Sequence, residues 1–76
     1  MTITLKQLLT QVSTGQMIRV IILDADWEET GETVEFENDH IDLGKSRVRK
    51  ILNLEVAMIS STEDDFLRVE VMLWKK

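Results

Sequence analysis

Met17-Ile18-Arg19-Val20-Ile21-Ile22-Leu23 is the stretch that decides the fold. It is rich in β-branched residues, which fit the pleated surface of a sheet, and both of its alternating faces are largely apolar. A strand apolar on two sides belongs in the middle of a sheet or beneath a partner. Its longest unbroken apolar run, Val20 to Leu23, falls far short of the roughly 18 residues that span a bilayer.

Upstream, Leu5, Leu8, Leu9 and Val12 recur at helical spacing, and Thr4 with Gln7 three positions later has the form of a capping box. A short first helix is predicted, ending near Ser13-Thr14-Gly15, where glycine tolerates the left-handed conformation past a helix end. Downstream, Asp24 to Gly31 is polar and turn-like. Thr33-Val34-Glu35-Phe36-Glu37 then alternates, with Val34 and Phe36 on one face and the glutamates on the other.

Asn38-Asp39 breaks that pattern, and Val48, Ile51 and Leu52 return to helical spacing among Lys45, Arg47, Arg49 and Lys50. A second short helix is predicted there. Arg47-Val48-Arg49 also alternates, which leaves open an extended path into Leu54-Glu55-Val56-Ala57-Met58-Ile59. Val56 to Ser61 and Phe66 to Trp74, divided by Thr62-Glu63-Asp64-Asp65, read as an antiparallel hairpin. In its second strand Leu67, Val69, Val71 and Leu73 face the core, while Arg68, Glu70, Met72 and Trp74 face away. The expected fold is a single α+β domain over 1–76, with a mostly antiparallel sheet of about four strands and one or two short helices on one face.

Composition narrows the function. With 76 residues, no Cys and one His, the chain has no disulfide or thiolate metal framework and no multi-histidine cluster. It lacks the G-x-S-x-G and H-E-x-x-H motifs, and a domain of this size offers little scaffold for a deep catalytic pocket. No enzymatic activity, catalytic residue, cofactor or metal is expected. His40 beside Asp39 and Asp42 has no nucleophile placed near it by sequence, so a solvated loop histidine is the simpler reading. Asp24, Asp26, Glu28 and Glu35 trace the outline of a calcium loop, but Glu29 stands where that loop turns on glycine. Gly44-Lys45-Ser46 resembles the end of a phosphate loop without its first glycine. The opening MTITLKQLL has no basic start and long apolar stretch of a secretory leader, so a cytoplasmic location is expected, with no membrane contact.

Charge is strongly segregated. Nine acids lie between Asp24 and Asp42 with no Lys or Arg among them, whereas the rest of the chain holds five acids against nine bases. Such a field attracts a basic partner and repels nucleic acid phosphates, so a protein target is favoured over direct nucleic acid binding. The blander alternative is that these acids solubilise a loop and protect an edge strand. Asp24, Asp26, Trp27, Glu28, Glu29, Glu32, Glu35 and Glu37 are the candidate partner-binding set, with Trp27 either an anchor or a lid on the core. Ile21, Leu23, Met72 and Trp74 are the candidate self-association set of a homodimer.

Leu5-Lys6-Gln7-Leu8-Leu9, Ile18 to Ile22, Leu54 to Ile59 and Phe66 to Val71 together resemble, in pattern, short acidic proteins encoded by bacteriophages and mobile elements of Gram-positive bacteria. The acidic segment Asp24 to Asp42 and the basic stretch Lys45 to Lys50 depart from that group. The resemblance implies a small protein that binds and blocks a host protein, such as a nucleic-acid-binding or defence protein. An alternative of another class is a homo-oligomeric module holding a small ligand with Arg47, Arg49, Arg68 and Trp74.

Overall fold

The structure, a computed structural model, describes residues 3–61 and 65–73. Seven elements follow in order: α1 (Leu5–Leu9), β1 (Met17–Leu23), β2 (Glu29–Glu37), α2 (His40–Leu43), α3 (Ser46–Arg49), β3 (Glu55–Ser61) and β4 (Phe66–Met72). The four strands form one sheet in the order β2-β1-β4-β3. Two antiparallel hairpins, β1–β2 and β3–β4, join side by side through a parallel pairing of β1 with β4. The sheet is therefore mixed, with its parallel step at the centre, where a strand apolar on both faces is best protected from water.

The three short helices contribute to a core on one face of the sheet. Leu5, Leu8 and Leu9 of α1 and Val48 of α3, with Ile51 just beyond, pack against Ile18, Val20, Ile22, Phe36, Val69 and Val71. The side chains of Phe36, Ile18, Val20, Val69 and Val71 are fully buried, as the alternation of each strand requires. Leu67 and Leu73 join this core from its margin.

Helix α1 starts as its capping box specifies. The Gln7 amide donates to Thr4 Oγ1 at 3.2 Å, and the Thr4 amide donates to Gln7 Oε1 at 2.9 Å. Two further amides of its first turn, Leu5 and Lys6, donate to the carbonyls of Leu54 and Leu52, which ties the helix start to the approach of β3. Past the helix, Gly15 takes φ 91°. Asn38, buried at the end of β2, donates its side-chain amide toward the carbonyls of Leu9, Val12 and Ser13 at 3.1 to 3.2 Å. It holds the end of α1 against the sheet.

Two boundaries differ from the sequence expectation. Strand β2 begins at Glu29, inside the span read as turn, because an edge strand needs only backbone pairing with β1 and tolerates an exposed polar face. The pairing is irregular between Ile21 and Leu23, and Gly31 there has φ 91°. The break at Asn38-Asp39 starts a helix, since Asp39 Oδ1 accepts the Asp42 amide as the N-cap of α2. The basic stretch forms a turn of helix, α3, as its helical spacing predicts, and not the competing extended path. The expected loop residues Thr62, Glu63 and Asp64 lie outside the described residues, as does Trp74.

Candidate functional site

The β1–β2 connection carries the first acids of the segment, Asp24, Asp26 and Glu28, at the end of the sheet. Asp24 organises it: its Oδ1 accepts the amides of Asp26 at 2.8 Å and Glu28 at 3.1 Å. Backbone bonds from the Trp27 amide to the Asp24 carbonyl and from the Asp24 amide to the Glu28 carbonyl close the turn. Trp27 takes φ 66°, a left-handed conformation that bulky side chains rarely adopt, and its residue surface is 63% exposed. The reading of Trp27 as a lid on the core is thereby overturned: it stands in solvent between the acids Asp26 and Glu28.

The other nominated acids are divided among different tasks. Glu35 pairs with Arg19 at 2.6 Å across the β1–β2 ladder, and Glu29 reaches Arg68 on β4 at 3.2 Å. Arg68 pairs level with Arg19 and Glu29 level with Leu23, so the Glu29–Arg68 bridge runs diagonally across β1 past Ile21. Arg19 also lies 4.5 Å from the Phe66 ring centroid, and Arg68 pairs with Glu70 at 3.5 Å. Glu32 is exposed on the edge strand and Glu37 is half-buried beside Gly15. The tip acids Asp26 and Glu28 make no ion pair among the described residues.

Asp42, at the far end of the acidic segment, is a structural junction. Its Oδ2 accepts the Glu37 amide at 2.9 Å and its Oδ1 lies 3.1 Å from Lys45 Nζ. The Glu37 amide, aided by Lys45, holds the Asp42 carboxyl below the ordinary aspartate range.

Of the nominated self-association residues, Ile21, Leu23 and Met72 form a small cluster with Ala57 on the outer face. Each is already at most 4% exposed within a single chain, so these three offer little surface to a second copy. The residues nominated for a ligand are not gathered in one place. Arg47 donates to the Glu35 carbonyl at 2.7 Å on the β2 edge, Arg68 lies among acids on the outer face, and Arg49 lies on the helical side.

Arg49 nevertheless lines a concavity that sequence reading missed. A groove of about 520 Å³ runs between α1 and the α2–α3 segment, lined by Leu9, Leu43 and Leu52 together with Lys6, Thr10, His40, Gly44 and Arg49. The signal for it was slight, because helices of four or five residues leave no periodic stripe long enough to reveal an uncovered face. Among the described residues, no three His, Asp or Glu side chains gather as metal ligands, and no helix is long and apolar enough to cross a membrane. No family model, curated protein or solved structure matches the chain.

Proposed function

We propose that this chain is a non-catalytic binding protein that docks the acidic tip of its β1–β2 hairpin on a basic surface of a host protein. The observation that carries this reading is Trp27, an exposed indole held in a left-handed turn and flanked by Asp26 and Glu28. Neither feature serves stability: the left-handed conformation costs a bulky residue about 1–2 kcal/mol, and the indole gains nothing from burial. Both suit an anchor for a partner, since tryptophan at an interface centre supplies much of the binding energy while surrounding charges select and steer. The pattern resemblance to acidic phage and mobile-element proteins supports the same reading, with a nucleic-acid-binding or defence protein as the class of target and inhibition as the outcome.

The test pairs two variants against a partner recovered from host lysate. Trp27→Gly relieves the left-handed strain, so it leaves the fold as stable or up to about 1 kcal/mol more stable while speeding dissociation. Asp26→Asn with Glu28→Gln slows association and flattens its salt dependence. Unchanged binding kinetics in both variants would refute the docking role.

A further inference from the structure

We propose that the groove between α1 and the α2–α3 segment is a second binding site, which takes a medium-chain fatty carboxylate. Its floor is apolar, made by Leu9, Leu43 and Leu52, of which Leu43 and Leu52 are only partly buried by the chain itself. The volume of about 520 Å³ falls in the range of small-molecule sites. Its rim is of one sign. Lys6, Arg49 and the imidazole of His40 line it and no carboxylate does, although the protein as a whole carries a formal charge of −5. Among the described residues, neither Lys6 nor Arg49 makes an ion pair, so both ammonium and guanidinium are open to an anion.

An apolar floor under a cationic rim is complementary to an alkyl chain that ends in one negative charge. The chain displaces water from the three leucines, and the carboxylate accepts from Lys6 and Arg49, with the guanidinium suited to bidentate contact. A neutral alcohol of equal length would satisfy the floor and leave the cations unpartnered. This site lies apart from the hairpin tip and does not depend on the docking reading.

The probes are octanoate, decanoate and dodecanoate, with decanol as the neutral control, added to the full chain below micelle-forming concentrations. Amide chemical shifts locate the contact and calorimetry measures the affinity. Expected are shifts confined to the segments around Leu9, Leu43 and Leu52, an affinity rising up to about fourfold per added methylene, and weaker binding of decanol. Lys6→Gln with Arg49→Gln lowers decanoate affinity by up to about tenfold and leaves decanol unchanged. Thr10→Trp, a change at an exposed position on the groove wall, removes binding of both. Equal affinities for decanoate and decanol, decanoate binding unmoved in the Gln pair, or shifts scattered over the surface would overturn the assignment. So would shifts at the groove that appear without any probe and vanish in Trp27→Ala, which would make a second copy's hairpin tip the occupant.

Discussion

Asn38 is the buried polar residue on which the helix-to-sheet attachment depends. Its two side-chain hydrogens are shared among three carbonyls, at Leu9, Val12 and Ser13, of which Leu9 and Ser13 also accept the backbone amides of Val12 and Gln16. Replacing it with Ala removes all three contacts and takes the side-chain donor from the Val12 carbonyl, in a site only 6% exposed, at an expected cost of about 1–3 kcal/mol measured by urea denaturation. Asn38→Asp costs more, because a carboxylate would face three carbonyl oxygens with nothing to donate. None of this was visible in the sequence, where Asn beside Asp signalled only a break in alternation. Trp27 was legible as a residue of interest but not as to its burial. A tryptophan among acids fits either a core lid or an exposed anchor until the turn geometry fixes its direction.

At the scale of elements, the strands were read well where both periodicity and composition spoke. β1 and the alternation of β4 follow the sequence, whereas the start of β2 does not, since Glu29-Thr30-Gly31-Glu32 lacks any apolar alternation and is drawn into the sheet by pairing alone. The helices α2 and α3 are single turns: the spacing of Val48, Ile51 and Leu52 announced α3, whereas α2 starts on the side-chain cap of Asp39 and buries no residue, so no apolar period marked it. Asp42 links them: it bonds the β2 end through Glu37 and the α2–α3 connection through Lys45. Its folded carboxyl titrates below the ordinary aspartate value of 3.8, so the ionised form is the one the fold favours. The stabilisation is thus complete above the unfolded value and is lost as pH falls through the lower folded value. Asp42→Asn is expected to be less stable than the parent near neutral pH, with the gap narrowing as melting is followed down through pH 4 to 2. A gap independent of pH would show that the carboxylate charge contributes nothing.

Over the whole molecule, the nine acids between Asp24 and Asp42 read from sequence as one face, and the fold disperses them. Asp24, Asp39 and Asp42 accept backbone amides, and Glu29 and Glu35 neutralise arginines across the sheet. Among the described residues, Asp26 and Glu28 at the tip and Glu32 on the exposed edge strand make no ion pair, and the tip alone sets its acids beside an exposed tryptophan. This division predicts unequal responses to neutralisation. Glu28→Gln is expected to change stability by less than about 0.5 kcal/mol, whereas Glu29→Gln with Glu35→Gln lowers it by up to about 1 kcal/mol in total. Thermal melts in low and high salt would check this, with the parent losing part of its advantage over the paired variant as the ions are screened. Segregation along the chain was legible; the pairing that divides it depends on strand order, which local patterns do not specify.

The parallel contact between β1 and β4 has a kinetic consequence. Each hairpin closes between neighbours in sequence, but Met17 meets Phe66 and Gln16 meets Asp65, partners 49 positions apart. Nothing local brings those strands together, so the chain must close a long loop before the central pairing gives anything back. The search for that pairing is expected to limit refolding, and its side chains to be partly engaged at the barrier. Val69→Ala, in the middle of the joined pair, should therefore slow refolding in stopped-flow mixing, while Ile59→Ala on the outer strand should mainly hasten unfolding. Refolding slowed equally by both would place the barrier in the β3–β4 hairpin instead.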